Sequence, residues 1–450
     1  MNGAAYEWIQ HEPIARQHGL TTAQLYIIRD TTTPLPPAKN LLDPLQTAVL
    51  VFSDLSTRKV NVSDRVMKDL KKELRIWVKK EMICEEGVDV EEKMNDLLAE
   101  IALVTATYNM VSRFLVSVDV AGFSEEPVPW PLKRQEVCSF ICLLIQFFSH
   151  MGTKRVFLIP KEHPTHFIHG VTLKSSSSSA PYVIFVNSLL TDYTMWSLVL
   201  PYFISRDYNI VLFSQRGHGE SSLPTATDDP TTIPSLASDL QVIISSHLNI
   251  PSNKIKTIIG VSQGGATALA YAALSNVENS PQSIIVCDTT PRTPQGNQAA
   301  WEERIQLVNG DQLRMKRLVD ITIPRWFPLG SSISSSLPHD NRTEWISSLI
   351  TSTPVPSFQA GARALGSYDT LELGVLNSSI PNILLLAGSL DGGGKVGGTL
   401  KQFSHDWNEK RKLEERREVE YVTIEGSGHL PMVDEPEQFW KVVDRFLETV

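Results

Sequence analysis

The 450-residue chain is 42% hydrophobic and 20% charged, the balance of an ordinary soluble globular protein, and its length suggests two or three domains. Its 41 basic and 50 acidic residues leave a net charge of −9 with no basic block, which argues against nucleic acid and anionic membrane surfaces as partners. Four sparse cysteines, Cys84, Cys138, Cys142 and Cys287, form no C-x-x-C pair and no metal-ligand spacing, so no structural disulfide or metal site is expected.

The opening MNGAAYEWIQHEP lacks the basic and apolar regions of a secretory signal, and RFLETV carries no retention tag. The longest apolar run, Val137 to Phe148, is too short to cross a bilayer. The expected location is the cytosol.

Residues 1 to about 130 read as an all-α domain. Trp8, His11 and Ala15 share one face of a helix that Gly19 ends. Asp43 and Pro44 open another as cap and first turn, with Gln46 completing a capping box and Leu45, Ala48, Val49 and Phe52 forming its stripe. Val66, Leu70, Leu74 and Trp77 predict an inward face from about Asp64. Leu97, Ile101, Val104, Tyr108, Val111 and Leu115 predict a fourth.

W-x-x-H-x-x-x-A-x-x-x-G-L at Trp8 to Leu20, with Tyr108, Asn109, Ser112 and Arg113 in YNMVSRFL, resembles the carboxymuconolactone decarboxylase and alkylhydroperoxidase-like family over residues 4 to 125. Peroxidase members of that family use a C-x-x-C pair, because one thiolate attacks and a second thiol resolves. The pair is missing here, so redox chemistry is not expected. Glu100 and His11 are the candidates for acid–base work, although a histidine on an apolar helix face is more often a core residue. The resemblance implies a packing or self-associating module, hence a homo-oligomer.

Residues 131–165 read as a linker, opened by PVPWP and followed by the apolar EVCSFICLLIQFFSHMG, which packs between domains or contributes nothing to the fold. From there strand and helix alternate. Val156 to Ile159, His166 to Leu173, Tyr182 to Val186, Ile210 to Phe213, Lys256 to Gly260, Ser283 to Cys287, Ile383 to Leu386 and Val419 to Ile424 are compact β-rich runs. Such alternation predicts a doubly wound, mostly parallel sheet. The long interval at about 292–378 breaks the rhythm and is where a helical cap fits, with helices around Trp301, Trp326 and Trp345.

Within that alternation, KTIIGVSQGG sends an apolar strand through G-x-S-x-G into an alanine-rich helix. The glycines two residues either side of Ser262 let neighbouring chain pass a strained turn that exposes the hydroxyl, the pattern of a nucleophile elbow. A serine hydroxyl is a weak nucleophile near neutral pH and needs a histidine base oriented by a carboxylate.

NSLLTDYTMW, QRGHGES, GVSQGG, WEERIQLV, RWF and GSGHLPMVDEPEQF, spanning residues 166–450, resemble the α/β-hydrolase fold and, within it, the 3-oxoadipate enol-lactonases. The fold implies the chain order serine, acid, histidine. His429 follows the last strand and is preferred as the base to His218, whose flanking glycines suit a structural turn. Asp391 follows the penultimate strand in the family's AG-x-x-D pattern, although the GGGKVGG after it departs from the family. Asp369 and Asp406 are read as surface carboxylates. The resemblance implies oxyanion donors in the backbone amides of Gln263 and Leu189, the latter because Asn187 and Ser188 replace a usual His-Gly pair. Trp326 is the candidate substrate contact.

No dinucleotide fingerprint, P-loop or metal cluster is present, so no cofactor is expected. The reading is a serine hydrolase for a small lactone or carboxylic ester. Its alternatives are a bifunctional decarboxylase and lactonase, a thioesterase or esterase of specialised metabolism, and a non-catalytic binding scaffold.

Overall fold

The structure is a computed structural model that describes residues 4–30, 41–81, 89–119, 153–160, 165–175, 177–224, 229–275, 280–308, 311–334 and 342–450. It divides into two compact units, Met1–Met151 and Gly152–Val450. PVPWP, the apolar patch after it, and Cys84, Cys138 and Cys142 lie outside the described residues.

The first unit contains α1 (Ala5–Gln17), α2 (Thr22–Arg29), α3 (Pro44–Lys59), α4 (Asp64–Glu81) and α5 (Val90–Ser117). Helix α3 starts as its sequence predicts: Gln46 N–H donates to the Asp43 side chain at 2.7 Å, and Asp43 N–H donates back to Gln46 Oε1 at 3.1 Å. A second capping box, Thr21 with Gln24, starts α2, a short helix absent from the sequence reading. Phe52, Val66, Leu70, Leu74 and Met94 form the buried core.

Two expectations about inward faces are corrected. Trp77 is 39% exposed, and Val78, one step of four beyond Leu74, is buried instead. On α5, Leu97 and Ile101 pack against the core while Val104 and Tyr108 are exposed. The inward line continues through polar residues, which apolar periodicity does not detect. Thr105 pairs with Ser53 at 3.2 Å, Asn109 donates to Thr57 at 3.0 Å, and Ser112 donates to buried Glu7. His11 is exposed and meets Tyr108 edge-on at 5.3 Å, and Glu100 is also exposed. Neither is a core residue.

The second unit is an eight-stranded sheet with helices about it, the α/β-hydrolase fold. Its strands are β1 (Thr153–Ile159), β2 (His166–Leu173), β3 (Tyr182–Val186), β4 (Asn209–Phe213), β5 (Ile255–Val261), β6 (Ser283–Cys287), β7 (Asn382–Gly388) and β8 (Glu420–Ile424). Their spatial order is β1-β2-β4-β3-β5-β6-β7-β8. β1, which falls within the expected linker, pairs antiparallel with β2, and β2 antiparallel with β4. Every later pair is parallel. β4 and β6 are buried along their whole length, as uncharged β-branched runs covered on both faces must be.

Parallel pairing brings the C-terminal ends of β3, β5, β6 and β7 to one edge, where ligands of such sheets bind. Helix α6 (Gln263–Leu274) leaves that edge, with Ala266, Ala268, Ala270 and Ala272 letting it close on the sheet. Among the described residues, four helices stand between β6 and β7, where the cap was expected: α7 (Asn297–Val308), α8 (Met315–Trp326), α9 (Arg342–Ser352) and α10 (Val355–Gly366). The last of these had no counterpart in the sequence reading.

Candidate active site

Ser262 ends β5 with φ 55° and ψ −116°. A residue with a Cβ rarely occupies that region, and holding it there costs about 1–3 kcal/mol. The surroundings impose it. Ser262 N–H donates to Cys287 O at 2.9 Å, and Ala266 N–H donates to Ser262 O at 2.9 Å, so the turn is pinned from both sides. A Cβ on Gly264 would lie 2.1 Å from Val186 O, and one on Gly260 2.1 Å from Gly264 O. Glycine is therefore required at both positions for strand, elbow and helix to pass one another.

The base and acid arrive from two other strand ends. His429 Nδ1–H donates to Asp391 Oδ2 at 2.8 Å, which leaves Nε2 as the ring's other nitrogen for chemistry. His429 is half-buried and Asp391 is 5% exposed. The unusual glycine run after Asp391 has a structural reason: Gly392, Gly393 and Gly394 hold φ of 56°, 67° and 82° as the chain turns into the next helix. His429 N–H donates to Trp326 O at 2.8 Å, and the Trp326 ring stacks on the imidazole at 5.6 Å and 26°. Trp326 thus touches the candidate base directly, as well as lining the cavity. A Cβ on Gly428 would lie 2.0 Å from Trp326 O. Beneath the loop, buried Asp434 accepts Gly428 N–H and Ile333 N–H at 2.8 and 2.9 Å, and burial raises its pKa.

The Leu189 and Gln263 amides donate to no protein acceptor among the described residues. The neighbouring amide is committed: Leu190 N–H donates to His218 Nε2 at 3.1 Å, while His218 Nδ1–H donates to Arg216 O at 2.9 Å. His218 is 1% exposed, and burial lowers its pKa. It is a neutral strut under the Leu189 loop, as its glycine-flanked motif suggests, and it is absent from the cavity wall. The Gln263 side chain donates to Gly361 O of α10 at 3.0 Å, which ties the cap to the elbow.

Ser262, Leu189, His429, Asp391 and Trp326 line one cavity of about 230 Å³. Asp369 and Asp406 stand outside it. Asp369 caps a turn by accepting Leu371 N–H at 2.8 Å, and Asp406 pairs with Gln402 on a helix surface. The cavity also contains residues the sequence reading did not assign: Asp288, Arg304 and Arg325.

Arg304 stacks its guanidinium on Trp301 at 4.5 Å, and burial, then the charge of Arg325, depress its pKa to about 10. Arg325 is exposed and lines the cavity, and desolvation by the surrounding protein depresses its pKa as well. Neither guanidinium has a carboxylate in salt-bridge range among the described residues. Their motifs, WEER and RWF, were visible in the sequence. Their convergence on one cavity was not.

Residues 167–442 match the Alpha/beta hydrolase family, and the chain belongs to it. The chain is 26% identical over 272 residues to 3-oxoadipate enol-lactonase 1 of Acinetobacter baylyi, covering 60% of this chain and 90% of that protein. It is 33% identical over 165 residues to 3-oxoadipate enol-lactonase 2 of the same organism, covering 36% and 57%. Among solved structures it resembles an esterase from Thermogutta terrifontis, with TM-score 0.54, 19% identity, and 66% and 98% of the two chains covered. The enol-lactonase from Burkholderia xenovorans LB400 gives TM-score 0.52, 21% identity, and 63% and 97% coverage. At these identities the solved structures speak to fold alone.

Proposed function

We propose that this hydrolase cleaves a small lactone or carboxylic ester that carries a carboxylate, with Ser262 as nucleophile, His429 as base and Asp391 as the group orienting it. The observation that carries the reading is the shared cavity: a strained serine, a His–Asp pair and two guanidiniums without carboxylate partners face one space. Guanidiniums that line a confined site without an ion-paired carboxylate favour a bound anion, and their planar shape suits a carboxylate.

In the proposed cycle Ser262 Oγ attacks the carbonyl carbon as its proton passes to His429 Nε2. The oxyanion meets the Leu189 and Gln263 amides. Collapse expels the alkoxide or enolate, which takes the proton from His429; in a lactone it stays tethered as the ring opens. Water, deprotonated by His429, then attacks the acyl carbon and releases the acid and Ser262. The names of the enol-lactonase relatives denote a lactone of a dicarboxylic acid, in keeping with an anionic substrate. The same reading takes the chain to act in the cytosol, without cofactor, nucleic acid or membrane. It takes residues 1–130 as a packing or self-associating module rather than a second catalytic centre.

The test is hydrolysis of an enol-lactone bearing a carboxylate beside neutral aryl esters and thioesters. Ser262→Ala should abolish turnover of all of them, and Arg304→Met and Arg325→Met should raise KM for the anionic lactone alone. Activity unchanged in Ser262→Ala would overturn the mechanism. Arginine variants that weaken neutral and anionic substrates equally would overturn the substrate class.

A further inference from the structure

Asp288 sits one residue beyond β6, as Asp391 sits just beyond β7, and the two strands are paired in register with Cys287 opposite Leu386. Beyond the ends of these adjacent strands both carboxyls line the cavity wall. Asp288 is 1% exposed and holds φ at 44°, a conformation that a non-glycine residue keeps only when its neighbours impose it. Its N–H donates to Leu386 O at 3.0 Å, and its Oδ1 accepts Gly388 N–H at 2.8 Å. Its Oδ2 is fully enclosed and has no donor to accept from. The carboxyl that shares this part of the cavity wall is that of Asp391, and its charge acts on Asp288.

Two ionised carboxylates cannot hydrogen-bond to each other, and burying both beside a third, Asp434, is costly with no guanidinium or ammonium paired to either. One proton resolves the arrangement. Asp391 Oδ2 already accepts from His429, so the negative charge belongs there, and the donor-less Oδ2 of Asp288 is the place for the proton. The other charged groups near the pair are Arg325, on which the charge of Asp391 acts, and His429 itself. Burial, and then the charge of Asp391, push the Asp288 carboxyl well above the usual carboxylate range, in the same direction.

We propose that Asp288 is a positioning residue whose carboxyl O–H donates a hydrogen bond to Asp391 and so fixes that carboxylate for His429. The inference rests on the triad reading above. It gives the site a second acid that acts through Asp391. The pair carries one negative charge between them, so the base faces a single carboxylate charge across the working pH range.

The test uses the full chain with Asp288→Asn and Asp288→Leu, assayed on an ester that the wild type turns over. In Asp288→Asn the amide NH₂ can donate where the O–H did, and its oxygen can still accept Gly388 N–H. Its kcat should stay within threefold of wild type, and the acid limb of the pH–kcat/KM profile should not move. Asp288→Leu should lower kcat tenfold or more at unchanged KM, since a small misplacement of a catalytic group is costly. An acid limb that falls by roughly one pH unit or more in Asp288→Asn would mean a charge had been removed, and the proposal would fail. If Asp288→Leu does not fold, the Asp288→Asn profile still decides. Ser262→Ala, run alongside, separates the two readings: turnover surviving in it indicts the triad, whereas its loss together with a shifted Asp288→Asn profile indicts Asp288 alone.

Discussion

His218 holds the loop of Leu189, the proposed oxyanion donor, without lining the cavity, and replacing it by phenylalanine tests that role. The phenyl ring fills the space but removes two hydrogen bonds, leaving Leu190 N–H and Arg216 C=O unpartnered in surroundings where these residues are 3% and 4% exposed. Orphaning a buried backbone group costs about 1–3 kcal/mol, so His218→Phe, which orphans two, should lose roughly 2–6 kcal/mol of stability. Leu190 holds φ at 67°, and without its anchor the turn should relax and carry the Leu189 amide with it. Outright loss of one oxyanion donor costs on the order of 10²–10³ in kcat, so a displaced donor should cost roughly 10- to 100-fold. His218→Gln, whose Oε1 can replace Nε2 as acceptor, should recover most of both.

The pH dependence of the same pair of proteins adds a second check. Burial lowers the His218 pKa below its ordinary 6.5, so as pH falls below that value the unfolded chain binds a proton that the folded chain does not. The residue therefore destabilises the fold at low pH, by up to about 1.4 kcal/mol per unit. Phenylalanine has no such proton, so the stability gap between wild type and His218→Phe should narrow from pH 7 to pH 5.5. Urea unfolding at several pH values and aryl-ester turnover measure both effects. A His218→Phe protein with kcat within twofold and stability within about 0.5 kcal/mol of wild type would refute the strut.

Trp326→Ala removes the ring stacked on His429, so kcat should fall more than KM rises, and Trp326→Phe should recover it; steady-state kinetics reporting a pure KM effect would make the ring a substrate contact only. Gly428→Ala puts a methyl 2.0 Å from Trp326 O, a backbone atom that cannot swing aside, and the displaced His429 should cost roughly 10²-fold in kcat. Arg411 is fully buried, donates to Ile380 O at 3.0 Å and to the Pro381 and Arg417 carbonyls, and does not line the cavity. Arg411→Met should lower stability by roughly 2–4 kcal/mol while ester turnover well below the melting point stays near wild type.

Much of this protein was legible in one dimension because local chemistry dictated it. Uncharged β-branched runs such as Tyr182–Val186 and Ser283–Cys287 can only be strands covered on both faces, and they form strands over those residues. Asp43, Pro44 and Gln46 encode a helix start within four residues, and the helix begins there. Gly260 and Gly264 announced a turn that needs their missing side chains, and that turn puts Ser262 at φ 55°.

What remained hidden depends on residues distant in the chain. The inward line of α5 runs through Thr105, Asn109 and Ser112, polar positions satisfied by partners on other helices, so a hydrophobic period read the wrong stripe after Ile101. Asp288 reads in sequence as an ordinary residue after a strand. Only the folded chain brings it to the same cavity wall as Asp391, a carboxyl about a hundred residues away, and withdraws both from water. Arg304 and Arg325 belong to different cap helices, and their mutual repulsion exists only where α7 and α8 meet the cavity. Sequence determined the strands and the strained turn at Ser262, because these are set by near neighbours. Tertiary structure decided which charged groups meet at the cavity, Asp288, Asp391, Arg304 and Arg325 among them, because Coulomb interaction and desolvation act through distances that the order of residues does not contain.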